Sequence, residues 1–219
     1  MLTVGLTGEL GSGKTTVARM LAERGAVVLS SDDMARAMME PGEPVYVQMI
    51  RRFGLGILTE DARLNRRELA RLAFEEGRVE ELNAIVHPAV LAEQARRLAE
   101  LEQRQPEAIA VVESALIFST VHAGEGRTWR DRFDCVVLVT APEDVAIARF
   151  VRRAEGERVV SDREHASIEA DARRRLAEQR MHPAPEAECL VIRNDGDLGA
   201  LSNRVDDVWR ELRRRNRQV

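Results

Sequence analysis

The residues with the clearest chemical meaning stand at 8–15, where the sequence reads GELGSGKT. This spacing matches the pattern G-x-x-x-x-G-K-[ST] of loops that hold nucleotide phosphates. Gly8, Gly11 and Gly13 let the backbone curl so that successive N–H groups point inward at phosphate oxygens, aided by the positive end of the following helix. The motif therefore predicts a nucleotide-binding site.

Four side chains in this loop and just after it are candidate ligands of ATP. Lys14, the only lysine in the chain, can reach the β- and γ-phosphates. The Thr15 hydroxyl would bind a magnesium ion that bridges the terminal phosphates. Ser12 and Thr16 complete the predicted set. The alternative is a glycine turn with no ligand, but an apolar run before the motif and a helical pattern after it favour the nucleotide site.

Two adjacent carboxylates, Asp32 and Asp33, follow the second apolar run. Ligands of open α/β sheets bind at the carboxyl ends of the strands, so a carboxylate there could orient an acceptor hydroxyl and take its proton. The alternative is that one of the two caps the helix that follows. The residues alone leave both roles open.

Arg149 and Arg153 are four positions apart, which puts them on one face of a predicted helix. Such arginines could stabilise charge on a transferring phosphoryl group, Arg149 as a catalytic residue and Arg153 as an ATP ligand. The alternative is a solvated helix face with salt bridges. His87, before Pro88, interrupts a helical pattern; it could line a pocket, although its spacing alone favours a structural role.

Apolar periodicity predicts the elements that must position these residues. Helical patterns separate five predicted strands, which implies an α/β fold with a parallel sheet covered on both faces. The region from 43 to about 105 is predicted to be almost wholly helical, and within it a long segment from 78 to 104 is predicted to break only at His87-Pro88. The strand segments are LTVGLT at 2–7, AVVLSS at 26–31, AIAVVES at 108–114, FDCVVLVTAP at 133–142 and ECLVIRNDG at 188–196.

Composition narrows the class of protein. Hydrophobic residues make up 44% and charged residues 32% of 219 residues, with a net charge of −4, so we expect a globular protein with no nucleic-acid partner. No apolar run is long enough to span a membrane and no export signal is visible, so a cytoplasmic protein without a membrane partner is expected. Cys135 and Cys189 suit reduced thiols better than a disulfide or a zinc site.

These residues together resemble the dephospho-coenzyme A kinase family, whose members transfer the γ-phosphoryl group of ATP to the ribose 3′-hydroxyl of dephospho-coenzyme A. The part of the resemblance that is specific to this family is the stretch at 27–44, followed in order by the arginine-leucine segment at 64–74 and the histidine-proline pair at 87–88. The stretches are GLTGELGSGKTTVA at 5–18, VVLSSDDMARAMMEPGEP at 27–44, LNRRELARLAF at 64–74, ELNAIVHP at 81–88, FDCVVLVTAPED at 133–144 and VIRNDG at 191–196.

The resemblance implies roles for individual residues. Asp32 would be the catalytic base that also contacts the acceptor, with Asp33 capping the helix or solvated. Arg36, His87 and Pro88 would bind the acceptor substrate. Asn194, in VIRNDG, would lie at the ATP site. The implied substrates are ATP and dephospho-coenzyme A, with Mg²⁺ as the cofactor.

The chain departs from the family pattern in several places. Ser30 stands where the first aspartate of a D-A-D triplet is usual, and residues 115–119 read ALIFS instead of P-L-L-F-E. The region between Arg163 and Gln179 is longer than in the family, although RLAEQ at 175–179 resembles its R-I-x-x-Q element. The HPAPEAE segment at 182–188 is unusually rich in proline.

The fold implied by pattern and resemblance is a three-layer P-loop domain over residues 1–219 with a five-stranded parallel sheet, an inserted helical substrate subdomain and a helical lid. The core would comprise about 1–42, 105–150 and 185–219, the acceptor-binding insertion about 43–104, and the lid about 151–182. Two other functions fit the motif: a kinase of another small molecule, such as a nucleoside monophosphate, and a nucleotide-binding switch that acts through a partner. A switch needs no acceptor pocket, so the helical insertion favours a kinase.

Overall fold

The computed structural model describes residues 1–118, 128–180 and 184–218, apart from the side chain of Phe74. In chain order the helices and strands are β1 (Leu2–Gly8), α1 (Lys14–Glu23), β2 (Val27–Ser30), α2 (Ser31–Met38), α3 (Pro44–Phe53), α4 (Arg66–Phe74), α5 (Val79–Arg104), β3 (Ile109–Glu113), β4 (Cys135–Thr140), α6 (Glu143–Glu155), α7 (Asp162–Arg180), β5 (Leu190–Arg193) and α8 (Leu198–Asn216). They fall into two compact units, one built on the sheet and one that comprises α2 to α5.

The sheet has the strand order β2-β3-β1-β4-β5, with β1 at its centre. β1 pairs in parallel with β3, where Leu6 faces Glu113, and with β4, where Gly8 faces Val139. The strands are mostly apolar, with polar residues chiefly near their ends, because helices cover both faces of such a sheet. The five-stranded α/β fold predicted from the sequence is confirmed.

The main core lies between the sheet and helices α1 and α8. Leu6 of β1 and Leu21 of α1 are completely buried, as are Val205 and Leu212 of α8. The three- and four-residue spacing of apolar side chains along α8 gives that helix one face for the core, and this burial stabilises it more than its intrinsic propensity does. The predicted C-terminal amphipathic helix is therefore present.

Helices α6 and α7 pack against each other beside this core. Ile147 and Val151 of α6 meet Ala172 and Leu176 of α7 in a second cluster, and the half-buried Leu10 packs against the same cluster. Both helices are rich in arginine and acidic residues on their exposed faces, where pairs three and four positions apart stabilise a helix only slightly. The apolar cluster is thus what holds the pair together.

The helical unit has its own core. Val45 and Met49 of α3, with Leu72 of α4, are buried and contact one face of α5. Contrary to the predicted break at His87-Pro88, α5 runs unbroken from Val79 to Arg104. A proline inside a helix costs about 3 kcal/mol because it removes a hydrogen bond and clashes with the preceding turn. Side chains that flank Pro88, including Val86 and Ala89, pack into this core, and their burial offsets that cost.

No helix in the described part of the chain is long and apolar enough to cross a membrane.

The core role of α8 predicts a contrast between two leucines on the same helix. Leu201 is 2% exposed and Leu198 is 65% exposed. Leu201→Ala should lower the free energy of unfolding by about 2–5 kcal/mol, because it removes buried methyl groups and leaves a cavity. The matched control, Leu198→Ala, should change it by roughly 0.5 kcal/mol or less. Urea unfolding followed by circular dichroism measures both, and equal shifts would contradict the packing described.

Candidate active site

The phosphate-binding loop connects β1 to α1 and is packed tightly against its neighbours. Gly11 and Gly13 have φ angles of +68° and +93°, which side chains rarely permit. There is also no room for a side chain, because a Cβ on Gly11 would lie 2.0 Å from the Ala146 carbonyl oxygen and one on Gly13 would lie 2.3 Å from Asn194 Nδ2. The glycines predicted from the motif are therefore required by both conformation and packing.

Lys14 is held over the loop by backbone carbonyls. Its Nζ donates hydrogen bonds to the carbonyl oxygen of Gly8 at 2.8 Å and to that of Glu9 at 3.1 Å. These bonds keep the ammonium at the loop. When a nucleotide binds there, Lys14 could replace these neutral carbonyl partners with charged phosphate oxygens, which form stronger hydrogen bonds. The structure thus places the ammonium at the loop, and phosphate binding by Lys14 stays a prediction.

Thr15 lies in the first turn of α1 and makes a contact that sequence reasoning missed. Its Oγ1 donates a hydrogen bond to Glu113 Oε1 at 2.8 Å. Glu113 is the last residue of β3, the strand beside β1, so the parallel register carries its carboxylate to the same edge of the sheet as the loop. The available signal was a carboxylate at the carboxyl end of an apolar strand.

This hydroxyl and carboxylate suit a magnesium ion. Both are hard oxygen donors, and Mg²⁺ in phosphotransferases is bound by one or two protein oxygens, substrate phosphates and water. No cluster of three or more His, Cys, Asp or Glu residues suited to a metal occurs among the described residues, and a magnesium ion shared with ATP needs none. The donor set of Thr15 and Glu113 therefore fits the cofactor predicted from the sequence.

Ser12 and Thr16 take different positions at the loop. Ser12 is buried, and its Oγ has no hydrogen-bond partner among the described residues. Its carbonyl oxygen accepts a hydrogen bond from Asn194 Nδ2 at 2.8 Å. Thr16 follows in the first turn of α1 and is half-buried. The side chain of Asn194, which lies outside the loop, thus fixes the loop backbone at Ser12.

Asn194 and Arg149 form one connected group on this side of the loop. The Arg149 guanidinium donates to the Asn194 carbonyl oxygen and to Asn194 Oδ1, both at 3.1 Å. Because the other end of the same amide contacts Ser12, Arg149 is linked to the loop through a single side chain. Asn194 is 5% exposed, so this amide has little freedom to rearrange.

Arg153 shares α6 with Arg149 but is differently placed. It is exposed, and its guanidinium carbon lies 5.7 Å from the centre of the Phe150 ring. A cation at this distance from an aromatic face is weakly attracted to it. Of the two arginines, Arg149, the predicted catalytic one, is therefore the one that contacts Asn194, which in turn bonds to the loop.

The start of α2 decides between the two roles left open for Asp33. Ser30 is the N-cap, since its Oγ accepts a hydrogen bond from the Asp33 N–H at 3.2 Å. Of the two alternatives for Asp33, capping or solvation, the structure shows the second: its carboxylate is exposed and pairs with Arg36 at 2.5 Å. Serine caps helices as well as aspartate does, so Ser30 performs this role where the family has an aspartate. Asp32, in the same first turn, is exposed to solvent.

A buried hydrogen bond fixes the backbone beside Asp32. Gln94 of α5 donates from Nε2 to Ser31 Oγ at 2.8 Å, and the two residues are 3% and 8% exposed. Buried polar groups are costly to leave unpaired, so this bond specifies how α2 meets α5. The backbone next to Asp32 is thereby tied to α5 within the helical unit.

His87 and Pro88 lie inside α5, not at one of its ends. His87 is half-buried and Pro88 is exposed. Burial disfavours the imidazolium and lowers the pKa of His87, against a smaller opposing effect of Glu80. The histidine is therefore suited to act as a neutral hydrogen-bonding group.

The segment that departs from the family after β3 is described only in part. Ile117 is buried, and the Phe118 ring meets the Trp129 ring edge-on with centroids 5.5 Å apart. Ser119, the last residue of that segment, lies outside the described residues, as do Met181 and the first two residues of the proline-rich stretch, at 182–183. From Ala184 onward that stretch leads into β5.

Comparison with known proteins gives a consistent result. Residues 2–186 match the model of the family described as dephospho-CoA kinase. A protein of that name from Moorella thermoacetica is 36% identical over 220 residues, which cover 98% of this chain and 93% of the relative.

Two solved structures share the fold over nearly the whole chain. TT1252 from Thermus thermophilus is 29% identical, with a TM-score of 0.67 and coverage of 96% of this chain and 97% of that one. The dephospho-CoA kinase from Campylobacter jejuni, at 16% identity and a TM-score of 0.53, covers 96% of each and supports the fold alone. Because the family model matches well over half of the residues, this chain belongs to the dephospho-CoA kinase family.

Proposed function

We propose that the protein transfers the γ-phosphoryl group of Mg·ATP to the ribose 3′-hydroxyl of dephospho-coenzyme A, giving coenzyme A and ADP. The observation that carries the proposal is the family match over residues 2–186, which includes both the phosphate-binding loop and the helical unit. The loop by itself is compatible with many phosphoryl acceptors. The family match supports dephospho-coenzyme A as the acceptor, and the loop geometry supports ATP as the phosphoryl donor.

The donor side of the reaction depends on charge and position. Loop N–H groups and Lys14 would hold the phosphates, because both present donors to the same small volume. Magnesium, when bound, would offset negative charge on the terminal phosphates, and we assign it to Thr15 with Glu113 as the neighbouring carboxylate. Arg149 would add positive charge next to Asn194, whose side chain bonds to the Ser12 carbonyl oxygen. Little covalent chemistry is required of the protein in such a transfer.

The acceptor side rests on the resemblance and on local geometry in the helical unit. Asp32 would orient the 3′-hydroxyl and accept its proton as the oxygen attacks phosphorus. Its exposed position in the first turn of α2, next to a residue that is hydrogen-bonded to α5, supports this role. Arg36, His87 and Pro88 remain our assignments for acceptor binding. We also keep a cytoplasmic location as a proposal, supported by the free thiols of Cys135 and Cys189.

The first prediction concerns the acceptor. With Mg·ATP, dephospho-coenzyme A should raise ADP release strongly, and Lys14→Ala should abolish the rise because the β- and γ-phosphates lose their cation. A coupled assay with a panel of acceptors, including nucleoside monophosphates, measures this. Slow ADP release that is indifferent to every acceptor would reject the kinase and favour a switch.

A second measurement tests Lys14 in the wild-type protein, so it does not depend on whether Lys14→Ala folds. Lys14 is the only lysine, so mild amine acylation followed by mass spectrometry reports on this residue and the chain's amino terminus alone. Mg·ATP should protect Lys14 in the wild-type protein.

A second prediction separates the two carboxylates of α2. Asp32→Asn should reduce turnover about 10²–10⁴-fold with nearly unchanged ATP affinity, the loss typical of a general base. Asp33→Asn is the matched control, since it is adjacent, equally charged and exposed. At saturating acceptor it should retain turnover near that of the wild type, because its ion pair with Arg36 bears on acceptor binding alone. Similar turnover in the two variants would remove Asp32 from the mechanism.

A third prediction tests Glu113. Glu113→Gln keeps the side-chain shape and an oxygen that accepts from Thr15 but removes the charge beside the proposed metal. The magnesium concentration for half-maximal activity should rise roughly 10–100-fold, as for other groups that support a metal ligand. Glu107→Gln, an exposed glutamate before the opposite end of β3, is the control. An unchanged magnesium dependence in Glu113→Gln would overturn the assignment.

A further inference from the structure

The carboxyl end of α7 is fastened directly to the phosphate-binding loop. Gln179 Oε1 accepts a hydrogen bond from the backbone N–H of Leu10 at 2.8 Å, across 169 positions of sequence. Leu10 is the second variable residue of the motif and immediately precedes Gly11. A side chain remote in sequence therefore holds the backbone in the middle of the loop.

The N–H of Leu10 and the carbonyl of Glu9 belong to the same peptide unit. That carbonyl oxygen accepts from Lys14 Nζ at 3.1 Å and from the Ser12 N–H at 3.2 Å. A peptide unit is planar and rigid, so fixing its N–H also fixes the direction of its carbonyl. Gln179 thereby acts on the group that receives the Lys14 ammonium.

Neighbouring contacts keep Gln179 in place. The Leu10 side chain packs on the cluster that includes Leu176, one turn earlier on α7. The next residue, Arg180, bonds to Glu143 at 2.5 Å and reaches Glu9 at 3.4 Å, although these exposed ion pairs add little energy. The apolar contact brings the helix and the loop together, and the amide of Gln179 sets the orientation of the peptide.

We propose that Gln179 is a positioning residue for phosphoryl transfer: it orients the Glu9-Leu10 peptide so that Lys14 and the loop N–H groups are arranged for ATP before it binds. The inference rests on the proposed kinase activity but concerns only the nucleotide. Without the acceptor oxygen of Gln179, the peptide would keep only the hydrogen bonds to its carbonyl oxygen, and ATP binding would have to restore part of its orientation. Pre-arranged donors bind more tightly because that ordering cost is already met.

The test replaces the side chain while keeping its bulk. Gln179→Met removes the acceptor oxygen, and Gln179→Glu retains one. Glu178→Gln is the control, because Glu178 is adjacent, exposed and paired with Arg174 instead of the loop. The readouts are KM for ATP and for dephospho-coenzyme A, calorimetric affinity for Mg·ADP, and hydrogen exchange of the peptide that contains Leu10.

Gln179→Met should raise KM for ATP about three- to tenfold, the effect of one net hydrogen bond, with KM for dephospho-coenzyme A unchanged. Exchange of the loop peptide should become faster while other regions stay protected. Gln179→Glu should restore the protection, and Glu178→Gln should match the wild type.

Two results would overturn the positioning role: loop exchange and nucleotide affinity in Gln179→Met equal to the wild type, or a general rise in exchange with both KM values increased together. The second result would mark a structural residue. Because ADP affinity and exchange need no acceptor, they test Gln179 even if dephospho-coenzyme A is not the substrate. Acceptor-independent ADP release by the wild type would instead reject the proposed function.

Discussion

The position of β1 between two parallel partners governs the geometry of the whole phosphate site. Pairing with β3 sets Leu6 opposite Glu113, so the chain enters the loop where a neighbouring strand ends in a carboxylate. Pairing with β4 sets Gly8 opposite Val139, and the first turn of α6 follows soon after that strand. Parallel strands bring all their carboxyl ends to one edge, so these groups converge although they are far apart in the sequence.

The loop itself is held mainly through its backbone. Ala146 leaves no room for a side chain at Gly11, Asn194 bonds to the Ser12 carbonyl, and Gln179 bonds to the Leu10 N–H. These contacts come from α6, from the turn after β5 and from α7. A loop that must aim several N–H groups at one ligand benefits from such restraint, because each fixed peptide removes a conformational cost of binding.

The parts of the fold that could be predicted from the sequence are those set by local chemistry. Apolar runs marked the strands because a buried parallel sheet needs them, and the glycine spacing marked the loop because few other residues permit its backbone. Glu113 was missed because its role comes from strand register, which pairs residues more than a hundred positions apart. The unbroken α5 was missed because packing around Pro88 outweighs a local helix-breaking preference.

The same distinction separates the two chemical roles in the chain. Phosphate binding uses backbone groups and a short motif, so it is visible in the sequence and shared by many kinases. The candidate base depends on a helix start capped by Ser30 and on a buried contact between Ser31 and Gln94, 63 positions apart. Serine replaces the family aspartate at the cap without loss of the capping oxygen, so that replacement leaves the support of Asp32 intact. For the acceptor side of the reaction, the hydrogen bonds that the motif positions make are therefore a better guide than the identity of the residues at those positions.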